Sequence, residues 1–248
     1  MMSTQRLKII LLVSLASGTA QAALHDRGGG LIYDDVLNVT WLQDANYGAG
    51  SSYDYCDGGV CGSSTDGLMN WQSAKNWATD LNYYDSVRDV TYSDWRLPTV
   101  TLLNGDTYIG NTDPDYSVNA GTTASELAYM FFVNLGNPGY EYLYKGQPFV
   151  SACFPGNCLQ NAGPFINLES FWYWSGSEYD SNLGTAWAFN TGDGFQGGYP
   201  DYYEGYAWAV RDGDVAPVPE ADTWALLLTG LVLVGGAARR RLERHAES

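Results

Sequence analysis

Apolar and polar positions divide the chain into a β-rich opening, two amphipathic helices and an aromatic, β-rich close. Leu31-Ile32-Tyr33 and Val39-Thr40-Trp41-Leu42 are short apolar runs separated by the polar Asp34-Asp35 turn, which predicts two strands. Trp71, Ala74, Ala78 and Leu81 recur at helical spacing, and Asn70 is placed to cap a helix running to about Leu81. A second helix is predicted from near Thr123. Thr123 and Glu126 have capping-box spacing, Leu127, Met130, Phe131 and Leu135 make its apolar face, and Gly136 is its stop. Phe171-Trp172-Tyr173-Trp174, Thr185-Ala186-Trp187-Ala188-Phe189 and Tyr206-Ala207-Trp208-Ala209-Val210 follow as antiparallel strands with Gly-rich connections. The stretch 104–122, rich in Gly, Asn, Thr and Asp, reads as a long loop. The class is α+β, with two helices, a small and mostly antiparallel sheet, and long loops.

Both ends read as addresses rather than fold. Arg6 and Lys8, the apolar run from Ile9, and Ala20-Gln21-Ala22 give residues 1–22 the form of a signal peptide, cleaved between Ala22 and Ala23. At the other end Val218-Pro219-Glu220 precedes a mostly apolar segment, 223–238, and then Arg239-Arg240-Arg241 and Arg244. Sixteen helical residues reach about 24 Å, short of a full hydrocarbon core, which suits transient anchoring with the arginines on the cytoplasmic side. That order resembles the PEP-CTERM sorting signal, with Ala221 where the second Pro usually stands. The resemblance implies processing by an exosortase around Pro219 and Glu220. Residues 23–218 are thus expected to form one domain, and 219–248 the sorting signal. The expected location is the cell envelope, the cell surface or the surrounding matrix.

Charge then narrows the partners. The chain has 12 Lys and Arg against 28 Asp and Glu, a net charge of −16. Residues 23–218 keep 6 of the basic and 24 of the acidic residues, which makes the exported part −18. Such a surface excludes nucleic acid as the main partner and favours cations, calcium among them. An aromatic content of 15% points to a folded domain, since disordered acidic chains are poor in aromatics.

The chemistry-bearing residues are few. Cys56 and Cys61 bracket one turn-rich loop and Cys153 and Cys158 another, so two local disulfides are the favoured pairing. A four-thiolate zinc site is the alternative. The two histidines, His25 and His245, lie near the ends, leaving Ser–His or Cys–His catalysis without a base in the body of the domain. Any catalysis would fall to carboxylates, as in a glycosidase. Trp172 and Trp174, on one face of a strand, are candidates for stacking on sugar rings. Gly197 to Gly205 reads as a Gly-flanked loop between two strands. Its Tyr199, Tyr202 and Tyr203 are ligand-binding candidates, and its Asp201 and Glu204 are candidate calcium ligands. Asp54 and Asp57, beside the first cysteine pair, raise the same question. Asp94-Trp95-Arg96-Leu97-Pro98-Thr99 reads as a structural motif in which Arg96 pairs with a carboxylate while Trp95 and Leu97 pack.

Several segments taken in order resemble one family. They are Leu31-Ile32-Tyr33-Asp34, Asn38 to Leu42, Gly67-Leu68-Met69-Asn70-Trp71, Asp94 to Thr99, Ser125-Glu126-Leu127, Tyr173-Trp174-Ser175-Gly176-Ser177-Glu178-Tyr179 and Tyr206 to Arg211. This order resembles the Lcl C-terminal domain family of exported bacterial proteins. The resemblance implies a C-type-lectin-like fold related to the formylglycine-generating-enzyme domain, with an inserted loop at 100–122. No catalytic residue transfers from it. With the sorting signal, it implies a non-catalytic module that binds a carbohydrate or matrix polymer and is linked to exopolysaccharide or biofilm. The alternatives are a structural matrix protein without a discrete ligand and a carboxylate-based glycosidase.

Overall fold

The computed structural model describes residues 24–54, 65–101, 123–139, 153, 157–180, 183–215 and 229. In chain order the elements are β1 (Leu24–Asp26), β2 (Leu31–Asp34), β3 (Val39–Leu42), β4 (Leu68–Met69), α1 (Trp71–Asp80), β5 (Tyr83–Asp85) and β6 (Val90–Tyr92). There follow α2 (Glu126–Tyr129), continued by a π-helical turn (Met130–Asn134), then β7 (Trp172–Asp180), β8 (Thr185–Asn190), β9 (Phe195–Pro200), β10 (Gly205–Tyr206) and β11 (Val210–Asp212). The α+β reading holds, but the strands form three sheets rather than one. A four-stranded sheet has the order β1-β2-β3-β11, a five-stranded sheet the order β4-β10-β7-β8-β9, and β5-β6 is a hairpin. Every pairing is antiparallel except β10 with β7.

The β2–β3 hairpin forms where the polar turn predicts it. The Asp34 carboxylate accepts the backbone N–H groups of Val36 and Leu37, both at 3.0 Å, and Asn38 adopts the left-handed conformation that closes the turn. α1 begins on Asn70, whose side chain accepts the Ser73 N–H at 2.8 Å, and buries Ala74, Trp77 and Ala78.

The second helix departs from expectation at its start and in its length. Ser125, not Thr123, is the N-cap, with its hydroxyl accepting the Ala128 N–H. Glu126 closes no capping box, because Arg96 and the Thr99 N–H take its carboxylate. After one α turn the backbone widens, the Leu135 N–H reaching back five residues to Met130 O at 2.9 Å. Leu127, Met130, Phe131 and Leu135 are nevertheless all buried, and Gly136 ends the helix with φ of 65°.

Tyr206 to Val210 is likewise not one strand. β10 belongs to the five-stranded sheet and β11 to the four-stranded one, and Ala207-Trp208-Ala209 carries the chain between them. Alternation still governs this crossing. Trp208 and Val210 enter a core with Ile32, Trp41, Phe131, Tyr173 and Phe189, while Ala207 and Ala209 enter a second with Leu31, Leu42, Trp77, Trp95 and Trp174. Adjacent residues Leu31 and Ile32 of β2, and Tyr173 and Trp174 of β7, therefore feed opposite cores, which is why these stretches are apolar rather than alternating with polar residues. The indoles that need a partner in these cores include Trp208, which donates to Leu42 O, and Trp174, which donates to Met69 O, both at 2.8 Å.

Cys153 and Cys158 form a disulfide, as their spacing predicts, and both are buried in the first core. Cys56, Cys61 and Asp57 lie outside the described residues, as do Ala22, Ala23, Pro219, Glu220 and nearly all of 100–122. Among the described residues no helix is long and apolar enough to cross a membrane. The 223–238 segment, apart from Thr229, lies outside them.

Candidate functional site

The aromatic residues singled out from sequence come together on one face of the five-stranded sheet. Cross-strand register sets Trp172 opposite Asn190 and Asn190 opposite Phe195, and sets Trp174 opposite Ala188 and Ala188 opposite Gly197. Tyr199 lies opposite Ala186. Trp174 thus faces Ala188 and Gly197 across the sheet, and these small residues leave room for its indole to lie down. At Gly205 an added Cβ would come within 2.9 Å of Trp174 Nε1.

From the core outward the rings form a continuous column. Trp174 is fully buried and lies 5.4 Å from Tyr199. The half-buried Trp172 stacks on Tyr199 at 4.5 Å with 17° between planes and meets the edge of Phe195 at 5.6 Å. Tyr199 is 5.4 Å from Tyr203, and Tyr203 is 4.8 Å from Tyr202. Exposure rises along the column to 47% at Tyr203 and 71% at Tyr202, the largest among the exposed apolar and aromatic side chains described. Leu183, 64% exposed, stands beside this tip, because Gly184 O accepts the Asp201 N–H at 2.9 Å.

Two of the sequence candidates thereby change place. Tyr199 is a residue of β9 rather than of a loop, because Gly197 and Gly198 lie within that strand, and the connection shrinks to residues 201–204. Trp174, with Trp172 on the same face as expected, is enclosed by the second core, so its ring backs the column from inside. Tyr173, on the opposite face, is equally buried, so both faces of the strand are core at that point.

The acidic candidates do not converge. The Asp201 carboxylate faces Gly184, and its backbone O accepts the Trp71 N–H at 3.0 Å. The Glu204 carboxyl is held above the ordinary value by burial and then by the charges of Asp66 and Asp54. Among the described residues no group of three or more His, Cys, Asp or Glu side chains is arranged to hold a metal ion. The phenols of Tyr199 and Tyr202 keep their protons. Burial, followed by Tyr203 and Glu204, raises Tyr199, while Tyr203, followed by desolvation, raises Tyr202. At neutral pH these rings are uncharged, with hydroxyls that both donate and accept.

Two neighbours of the tip were not singled out from sequence as binding residues. Trp71, read only as part of a helix face, is half-buried, donates its Nε1–H to Ser175 O at 2.7 Å and carries the Lys75 ammonium 3.4 Å from its ring centroid. The Trp-x-x-x-Lys spacing on a helix is the signal that would have found this pair. Asp66 has no such local signal, since only the fold brings it near Glu204.

Asp94 to Thr99 ties the two sheets together. Asp94 takes both Nε and Nη2 of Arg211 at 2.8 Å. Trp95 and Leu97 are buried, and the Arg96 backbone exchanges hydrogen bonds with Val210 at 2.8 and 2.9 Å. Pro98 O accepts the Gly176 N–H at 2.7 Å, and Thr99 O accepts the Glu126 N–H at 3.1 Å.

Two helices packed among mostly antiparallel sheets, with an aromatic column opening at one turn, define an α+β domain. The chain belongs to the Lcl C-terminal domain family, whose model matches residues 30–211. No curated protein and no solved structure matches it.

Proposed function

We propose that this chain is an exported, C-type-lectin-like module that binds carbohydrate at the bacterial surface or in its matrix. The observation that carries the reading is the Tyr202–Tyr203 tip, exposed to solvent yet seated on rings that run back into the core. Flat aromatic faces on a turn backed by the rings of a sheet suit the C–H faces of sugar rings, and phenol hydroxyls suit sugar hydroxyls. The signal-peptide pattern, the sorting-signal pattern at 219–248 and the Cys153–Cys158 disulfide support a place outside the cytoplasm. The exosortase is then the processing partner, with exopolysaccharide or another glycan as the ligand.

The full chain, exported by a bacterial host and recovered folded, is titrated against a glycan panel and the producer's own exopolysaccharide, with calcium and with EDTA. Saturable binding that falls at least about tenfold in the Tyr202→Ala, Tyr203→Ala double variant is the expected result. Loss in EDTA would assign a role to calcium. Absence of saturable binding by folded protein in either condition overturns the reading and leaves a matrix protein without a discrete ligand.

A further inference from the structure

The charge around the aromatic tip selects among glycans. We propose that the Tyr202–Tyr203 tip takes a cationic amino-sugar polymer, a polysaccharide whose amines are free rather than acetylated. This inference rests on the carbohydrate-binding reading and names the class of sugar.

Three observations carry it. First, the tip is the exposed end of an aromatic column, so it offers ring faces to a ligand. Second, the electrostatic surroundings are negative. Tyr202 feels the charge of Asp201, Tyr199 that of Glu204, and Glu204 those of Asp66 and Asp54. Across the described residues the arginines are already paired with carboxylates, and the Lys75 ammonium rests on the Trp71 ring. Arg27 pairs with Asp214, Arg88 with Asp85, Arg96 with Glu126 and Asp212, and Arg211 with Asp94. A sulfated or carboxylated glycan would meet repulsion here, while a polycation meets complementary charge on a chain of net charge −16.

Third, an amine already rests on an aromatic face beside the tip. The Lys75 ammonium lies over Trp71, the residue whose backbone N–H is held by Asp201 O. An ammonium on a sugar ring is equatorial chemistry at the ring's edge. The C–H face can lie on Tyr202 or Tyr203 while the ammonium meets a neighbouring ring or a carboxylate. Stacking, cation–π attraction and ion pairing then act on one residue of the polymer.

The test titrates the exported full chain with a glucosamine hexamer and with its fully N-acetylated counterpart at about pH 5.5, where the amines are protonated and most protein carboxylates ionised. The glucosamine oligomer is expected to bind at least about tenfold more tightly, and to weaken with added salt. The Tyr202→Ala, Tyr203→Ala double variant is expected to lose about tenfold, and Tyr84→Ala, at an exposed tyrosine on the β5–β6 hairpin, to change nothing. Equal binding of the two oligomers overturns the amino-sugar selection while leaving the carbohydrate reading in place. Binding of neither, in a protein that binds another neutral glycan, does the same, and binding of no glycan overturns both. Equal affinity for oligolysine, or full binding by the double variant, reduces the effect to bulk charge attraction and overturns the proposal.

Discussion

The Arg96 guanidinium forks onto the Glu126 carboxylate, Nη1 to Oε2 and Nη2 to Oε1, both at 2.8 Å. The pair joins the strand-like Asp94–Thr99 segment to the first turn of α2, and Nη2 continues to Asp212 at the end of β11 at 2.6 Å. Burial works to lower the Arg96 pKa, but pairing with Glu126 and then Asp212 outweighs it and leaves it above the ordinary value. Glu126 is 7% exposed and also holds the Thr99 N–H at 2.6 Å.

Arg96→Ala should therefore cost more than a surface ion pair, because it strands a buried carboxylate. A loss of about 3 kcal/mol is expected from urea unfolding. Arg96→Lys should recover only part of it, since a point charge cannot form the fork. A double-mutant cycle with Glu126→Gln should give a coupling well above 1 kcal/mol, about the ceiling for exposed pairs; a coupling near zero would show that the fork is incidental.

Much of this fold was legible because local chemistry and tertiary context agreed. Asn70 caps α1 and the 3.6-residue spacing of Ala74 and Ala78 faces the core. The Cys153–Cys158 turn closes as its spacing suggests. The failures came where long-range partners overrode a local signal. Glu126 has capping-box spacing from Thr123, but Arg96, thirty residues earlier, claims its carboxylate. Tyr206 to Val210 alternates like one strand, yet its two ends find different sheets. Gly197 and Gly198 read as loop residues because glycine is rare in strands. Here they sit opposite Ala188 and Trp187 in β9, and a Cβ at Gly198 would come within 2.6 Å of the Tyr179 ring. The aromatic column was half legible. Trp172, Tyr199, Tyr202 and Tyr203 were named from sequence, but their order from core to solvent depends on pairing across three strands.

Reduction should soften the first core. The Cys153–Cys158 bridge closes a short loop, so its effect on the unfolded chain is modest, about 2 kcal/mol. Both cysteines are buried in the core that also holds Leu135 and Phe165, which adds the need to place two thiols there. A Cys153→Ser, Cys158→Ser variant is expected to melt several degrees lower than the oxidised protein. An unchanged Tm would mean the bridge contributes nothing to stability.

Gly205→Ala probes the seat of the aromatic column. Its Cβ would lie 2.9 Å from Trp174 Nε1 and 3.2 Å from Trp172 O. The indole cannot yield freely, because it is fully buried and donates to Met69 O. A loss of about 1–3 kcal/mol is expected, with a shift in tryptophan fluorescence reporting the displaced ring. Gly50→Ala, where nothing lies within 4 Å but φ is +73°, gives the comparison for backbone strain alone. If both substitutions cost the same and leave the fluorescence unchanged, the close approach to Trp174 is not what requires glycine at 205.

Asp34 gives stability an unusual pH dependence. Its carboxyl is fully buried on β2, and burial raises its pKa above 3.8 despite hydrogen bonds from Leu37, Asn134 and Val36; the Asp35 charge raises it further. The folded state thus binds the Asp34 proton more tightly than the unfolded chain does. The stability this provides is complete below about pH 3.8, and it is lost as pH rises through the raised native value. At neutral pH the buried carboxylate is a standing cost. Asp34→Asn should remove it, because an amide oxygen can still accept the Val36 and Leu37 N–H groups. Asn134 now donates Nδ2 to Asp34 at 2.6 Å and leaves its own Oδ1 buried without a partner, so turning its amide would present an acceptor to the new side chain. Asp94 works in the opposite direction. Its pairing with Arg211 lowers its pKa, so its small contribution is present above 3.8 and fades in acid. Melting curves of the wild type and Asp34→Asn at pH 7 and in acid separate the two effects. The variant should melt higher at pH 7, with the gap closing toward pH 3.8 and below. A variant that melts lower at pH 7 would show that the hydrogen bonds to the charged carboxylate outweigh the cost of burying it.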